Sequence, residues 1–189
     1  MAEALTLHLV RHGQTVWNVE RRIQGQTHDV PLTEEGIAQA RAAAAGLARL
    51  GAPLVLTSDL LRALQTAEII AAATGAKLRR ERAMRERHMG ILQGNTAEDA
   101  RRHYGERLND LWSDPDVRFD GGESWRDVYA RVAAFFHSLC ASPPATELVL
   151  VTHGGTLNVI NAVLAGEPVE RLAWERIDNC AVRTVSLSR

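Results

Sequence analysis

Apolar residues follow two rhythms along this chain. Three runs are nearly continuous: LTLHLV at 5–10, PLVLTS at 53–58 and ELVLVTH at 147–153. Each is rich in Leu and Val and ends in polar residues, the pattern of strands buried on both faces. Elsewhere the apolar positions recur at helical spacing. The stretch TEEGIAQARAAAAGLARLGA opens at Thr33 with Glu34 and Glu35 in its first turn and closes at Gly51, which predicts a helix. LRALQTAEIIAAATG (61–75) predicts a second, stopped by Gly75, and SWRDVYARVAAFFHSLC (124–140) a third, with Ser124 as N-cap. Strands alternating with helices predict an α/β fold: a three-layer α/β/α sandwich with a mainly parallel central sheet and helices on both faces. The stretch 95–123 starts helical and breaks at Asp114–Pro115 and at two glycines. It predicts a small cap insertion over one edge of the sheet, within a single domain spanning 1–189.

Composition narrows the classes of partner. Hydrophobic residues at 46% and charged residues at 24% argue against disorder, and 189 residues suffice for one buried core. With 22 Lys+Arg against 23 Asp+Glu there is no chain-wide attraction to nucleic acid or anionic lipid, so anion binding must be local. Cys140 and Cys180 form no CxxC arrangement, which sets aside a disulfide framework or cysteine metal site and fits a reducing cytoplasm. MAEALTLHLV lacks the positive n-region and long apolar core of a signal sequence, and no later run approaches about 18 apolar residues. The expectation is a cytoplasmic protein with a small-molecule partner, and neither nucleic acid nor membrane.

The three strand ends carry related chemistry. Arg11 and His12 follow the first, Ser58 to Arg62 the second, and His153-Gly154-Gly155 the third. Ligands of open α/β sheets collect outside the carboxyl ends of the strands, so two arginines and two histidines are expected in one crevice. Helix N-termini add oriented N–H groups there. Such a pocket favours a compact anion, phosphate above all: arginine binds it through paired N–H groups and glycines let backbone amides approach. A histidine among cations is kept neutral and can act as a nucleophile. MRERHMGILQG (84–94) supplies Glu86 as the proton donor to a departing alkoxide, with Asp59 and Glu123 as alternatives. A carboxyl beside a phosphate anion is pushed toward its protonated form.

These residues resemble the histidine phosphatase superfamily, the phosphoglycerate-mutase-like group. The likeness runs through LVRHGQTVWN (9–18), with its RHG motif, RIQGQTHDVPLTEEGIAQA (22–40), SDLLRALQTAEII (58–70), RERHMGILQG (85–94), GGES (121–124) and VTHGGTLNVI (151–160), nearly the whole chain. The resemblance implies that His12 becomes a transient phosphohistidine, Arg11 and Arg62 clamp the phosphate, His153 stabilises its oxygens and Glu86 serves as acid, then base. It implies that Asn18 bonds the phosphoryl group, that Gln24 and Gly25 border the substrate, and that Gly154 lies at the phosphate. No metal or other cofactor is implied, because the cationic side chains replace one. Arginines beside both key histidines would also repel zinc. The resemblance allows a homodimer without requiring one.

Within the group, departures from the mutase pattern favour the phosphatase branch. Met89 stands where the resemblance has tyrosine, Ala97 where it has lysine, and Leu111-Trp112-Ser113-Asp114 lacks the arginine pair after the cap tryptophan. HGGT replaces the mutases' HGNS. Without those cations a bisphosphorylated intermediate is poorly retained, so water is the expected final acceptor. The reading is a metal-independent phosphomonoester hydrolase acting on a sugar phosphate, a phosphoglycerate derivative or α-ribazole phosphate. A cofactor-dependent phosphoglycerate mutase and a catalytically silent phospho-ligand-binding protein are the alternatives. His8, His28, His103 and His137 read as surface or satisfied core residues, His88 as pocket-lining or structural, the arginines of RERAMRER (80–87) as a solvated face, and the aromatic residues mainly as core.

Overall fold

The computed structural model describes residues 4–187. Among them, β1 (Leu5–Arg11), β2 (Leu54–Thr57), β3 (Lys77–Arg80), β4 (Glu147–Thr152) and β5 (Val182–Leu187) form one sheet in the order β3-β2-β4-β1-β5. The first four run parallel, and β5 lies antiparallel against β1.

Strand alternation divides the apolar residues between two helical layers. Leu5, Leu7 and Leu9 of β1, Leu56 of β2, and Leu148 and Leu150 of β4 meet Val128, Val132 and Phe136 of α6 (Trp125–Ala141) and Leu157 and Ile160 of α7 (Gly154–Ala165). Val10, Val55, Val149 and Val151 turn the other way, onto Ala44 and Leu47 of α2 (Glu34–Leu47) and Ala63, Ala67 and Ile70 of α3 (Leu61–Thr74). Each fully buried Leu, Val or Ile here contributes about 1.5–3 kcal/mol. The three-layer arrangement follows from continuous apolar runs: a residue on either face of the inner strands needs cover.

Helix ends follow local chemistry. Thr33 Oγ1 accepts from Gly36 N–H at the start of α2, and Gly75 adopts a left-handed φ of 70° after α3. Ser124 caps α6 reciprocally with Asp127: its hydroxyl accepts from Asp127 N–H, and Asp127 Oδ2 accepts from Ser124 N–H at 2.8 Å. Helix α2 stops at Leu47, short of Gly51, because the chain must turn there to set buried Ala52 against the sheet at the entry to β2.

Residues 95–123 form α4 (Ala97–Tyr104), a 3-10 turn at Gly105–Leu108, α5 (Asp110–Ser113) and an extended return. They carry their own small apolar cluster of Ala100, Leu111 and Phe119 with Leu92. Arg87 ties this segment down, donating from Nε to Glu123 O (2.8 Å), from Nη1 to Leu111 O (3.0 Å) and from Nη2 to Val117 O (2.6 Å). It is 1% exposed, so the solvated face expected of 80–87 is corrected at this position. Loop carbonyls cut off from water need donors, and Arg87 supplies them. Arg85 is also drawn inward, bonding both oxygens of Asp59 at 2.6 Å. No helix among the described residues is long and apolar enough to cross a membrane.

The cap box makes a direct prediction. Ser124→Ala should lower the unfolding free energy by about 1 kcal/mol, read from urea denaturation, because Asp127 N–H loses the hydroxyl that accepts its bond.

Candidate active site

The register of the sheet assembles the site. Arg11 stands beside Thr152 across β1 and β4, and Thr57 beside Val151 across β2 and β4. The next residue of each strand therefore emerges at one carboxyl edge: His12, His153 and Ser58. Backbone bonds continue the ladder there, from His12 N–H to Thr152 O (2.9 Å) and from Ser58 N–H to Val151 O (3.0 Å). The imidazole centroids of His12 and His153 lie 5.2 Å apart, and Arg62 projects from the first turn of α3.

His12 is buried, and its Nδ1 lies 2.8 Å from the carbonyl oxygen of Gly13. A carbonyl can only accept, so Nδ1 carries the proton and Nε2 keeps its lone pair. Burial, then the charges of Arg62 and Arg11, hold the pKa of His12 well below its usual value. His153 is held neutral by burial, then by Arg62 and by proximity to His12. Its Nε2 lies 2.8 Å from Ser58 Oγ, which accepts a longer bond from Leu60 N–H at 3.4 Å. In the tautomer with the ring proton on Nδ1, the Ser58 hydroxyl donates to Nε2 while accepting from Leu60, and Nδ1 is a donor.

The two arginines are aimed by carbonyls. Arg62 donates from Nη1 to Thr27 O (3.1 Å) and from Nη2 to Gly25 O (2.7 Å), and Arg11 donates from Nη1 to Ile177 O. Burial lowers Arg62 to about 10, so it remains cationic at neutral pH. Four buried side-chain atoms have no hydrogen-bond partner among the described residues: Arg11 Nε, Arg62 Nε, His153 Nδ1 and Gln24 Oε1. An unmade bond of this kind costs about 1–3 kcal/mol. Three belong to residues expected at the phosphate and Gln24 to those expected to border the substrate, and an anion with several acceptor oxygens suits the three donors. Asn18 completes the ring. Its Oδ1 accepts from Thr15 N–H at 3.1 Å in the capping box of α1 (Val16–Val19), which leaves its amide NH2 for the cavity it lines.

Glu86 is held at the N-terminus of α7. Its Oε2 accepts from Gly155 N–H (3.0 Å), and its Oε1 accepts from Arg87 N–H (3.0 Å) and lies 3.1 Å from the Thr156 hydroxyl. A side chain at Gly155 would place Cβ 2.7 Å from Glu86 Oε1 and 2.6 Å from the Trp125 ring. Glycine in HGGT is therefore a steric requirement of this carboxylate and this tryptophan. The alternative acids are committed elsewhere: Asp59 to Arg85, and Glu123 to Arg131 (3.1 Å) and His88 N–H (2.9 Å).

A cavity of about 840 Å³ opens from the cluster. Arg11, His12, Asn18, Gln24, Gly25, Arg62, Glu86 and Gly154 line it; His153 does not, its ring lying 5.2 Å from that of His12. Met89 and Ala97 line its outer part with Trp112, Trp125 and Trp174. The expectation that aromatic residues are mainly core is corrected at Trp112, which is 54% exposed. His88 stays outside the cavity and accepts from Gly90 N–H at 3.1 Å, while His8 is buried between Thr184 and Glu147. Ser58, Thr156 and Arg87 were not singled out by sequence reasoning. Ser58 alone carried a signal, its place at the end of the second strand.

Comparison with known proteins agrees with this geometry. The profile described as "Histidine phosphatase superfamily (branch 1)" matches residues 7–189. A probable phosphoglycerate mutase GpmB of Cronobacter sakazakii is 37% identical over 182 residues, covering 96% of this chain and 84% of that protein. The mycobacterial glucosyl-3-phosphoglycerate phosphatase, solved with VO3, superposes with a TM-score of 0.88 at 35% identity, over 97% of this chain and 92% of that one. The α-ribazole phosphatase of Shigella flexneri gives a TM-score of 0.87 at 26% identity, over 98% and 95%.

Two measurements follow from the histidines. Because their folded pKa values are depressed, the unfolded chain takes up protons first as the pH falls. Their contribution to stability is therefore complete above the unfolded value of about 6.5 and declines below it. Between pH 7.5 and 5 the unfolding free energy of the wild type should fall more steeply than that of His12→Gln. Ser58→Ala should lower kcat/KM about tenfold or more and move the nitrogen-15 shifts of His153 away from a single Nδ1–H tautomer, since a buried ring nitrogen loses its partner.

Proposed function

From the premise that this chain belongs to the histidine phosphatase superfamily, we propose that it is a cytoplasmic phosphomonoester hydrolase working through a phosphohistidine on His12, without a metal ion. The observation that carries this reading is the set of unpaired buried donors, Arg11 Nε, Arg62 Nε and His153 Nδ1, about a neutral imidazole whose Nε2 keeps its lone pair.

In the first displacement His12 Nε2 forms a bond to phosphorus as the ester P–O bond breaks, and Glu86 gives its proton to the departing alkoxide. The Gly13 carbonyl, accepting from Nδ1–H, stabilises the positive charge that grows on the ring. Arg11 and Arg62 stabilise the phosphoryl oxygens. A charge pair at about 4 Å contributes on the order of 4 kcal/mol at an effective dielectric of about 20, so two guanidinium groups carry a large part of the task. In the second displacement Glu86 takes a proton from water as its oxygen attacks phosphorus. The P–N bond breaks, His12 regains its lone pair and inorganic phosphate leaves. Asn18 bonds the moving phosphoryl group, while Gln24 and Gly25 border the leaving alcohol.

A sugar phosphate, a phosphoglycerate derivative and α-ribazole phosphate are the candidate substrates, supported by the phosphatases this chain resembles. A phosphoglycerate mutase is the second reading, supported by the name given to its bacterial relatives. Against it, Ala97 puts no cation where the mutase pattern has lysine, and Met89 no hydroxyl where it has tyrosine.

The test is incubation with chelator present, feeding 3-phosphoglycerate with and without 2,3-bisphosphoglycerate beside a panel of phosphomonoesters. Phosphate release without 2-phosphoglycerate, reduced by His12→Ala at least about 10³-fold while the variant stays folded, is the expected result. Formation of 2-phosphoglycerate that depends on the bisphosphate would establish the mutase instead. Binding without any turnover would establish the silent receptor.

A further inference from the structure

Beyond its phosphate-binding end the cavity is larger and more apolar than a small acid needs. Its volume of about 840 Å³ lies toward the upper end of the roughly 300–1,000 Å³ of small-molecule sites. Three of the chain's four tryptophans meet in its outer wall. Ring centroids are 5.0 Å apart for Trp112 and Trp174, 4.4 Å for Trp125 and Trp174, and 5.7 Å for Trp112 and Trp125.

Hydrogen bonding decides what these rings offer. Trp125 Nε1 donates to Leu111 O (2.7 Å), and Trp174 Nε1 donates to Trp112 O (3.0 Å). Both N–H groups are spent on the cap backbone, and the rings present apolar surface. Trp112 remains 54% exposed on a segment held from both sides, so it presents a fixed indole to a concave space. A second ring gains most from such a surface, through area removed from water and through offset or edge contacts.

Charge at the mouth does not favour an acidic leaving group. Arg176 is 92% exposed and lies 3.6 Å from Asp178, where solvent screens it, and Glu175 beside it is paired with Arg183. Arg87 is consumed by its three carbonyls. Arg101 is exposed at the mouth and is the remaining candidate for a second anion.

We propose that the leaving alcohol of the substrate carries a neutral ring that packs against Trp112, with Trp174 and Met89 completing a specificity surface. This deepens the phosphomonoester reading and rests on it for the orientation of the phosphate.

The test uses three phosphonates, which bind without turnover: 2-phenylethylphosphonate, propylphosphonate and 3-phosphonopropionate, titrated by calorimetry into the full-length protein. The ring ligand should bind about tenfold or more tighter than the propyl ligand, as burial of one ring requires. That ratio should collapse in Trp112→Ala and largely survive in Trp112→Phe, with circular dichroism reporting the fold of each. Equal affinities, a ratio unchanged by Trp112→Ala, or tightest binding of the carboxylate ligand would overturn the inference, the last in favour of a second-anion site at Arg101. If Trp112→Ala does not fold, loss of the ratio in folded Trp112→Phe also overturns it, since that variant keeps a ring. A ring preference in a protein that hydrolyses nothing would leave Trp112 as a ring-binding surface and overturn the phosphatase. Hydrolysis without ring preference would do the reverse.

Discussion

The structure depends on the register between β1 and β4. With Arg11 opposite Thr152, the residues that follow are His12 and His153, and two imidazoles share one buried edge of the sheet. A slip of one residue would turn every side chain of β1 to the opposite layer, exposing Leu7 and Leu9 to the wrong helices and carrying His12 away from His153. Core packing and site geometry are thus the same constraint. The leucines that hold β1 in place also set the position of His12.

The electrostatic arrangement follows from that placement. Two cations near a buried imidazole make protonation unfavourable, and the Gly13 carbonyl settles which nitrogen keeps the lone pair. A ring kept neutral in this way would be of little use if its partner groups were mobile. Each has a backbone anchor: Gly25, Thr27 and Ile177 carbonyls hold the arginines, and the Gly155 amide holds Glu86. Ser58 plays the corresponding part for His153 through a single hydroxyl.

Much of this was legible in the chain. Continuous runs such as LTLHLV and ELVLVT announced inner strands because both faces are buried, and strand ends carrying Arg, His and Gly announced the residues that meet at one edge of the sheet. The edge strands were harder. KLRR at 77–80 is mostly exposed and VRTVSL at 182–187 is half polar, so only backbone pairing with β2 and β1 defines them. Arg87 was misread because it ends a run whose Arg80 and Arg82 are exposed, and nothing local reveals that three carbonyls need its protons. Trp112, Trp125 and Trp174 are far apart in sequence, and their meeting in one wall is a product of how the cap folds back on the segment after α7.

The most direct measurement is to trap the enzyme during turnover by rapid quench into base and locate the phosphorus by phosphorus-31 and proton NMR of the isolated peptide. The account predicts one base-stable, acid-labile phosphoryl group on Nε2 of His12. Phosphorus on Nδ1, on another residue, or turnover with no phosphoenzyme under conditions where dephosphorylation is slow would contradict it.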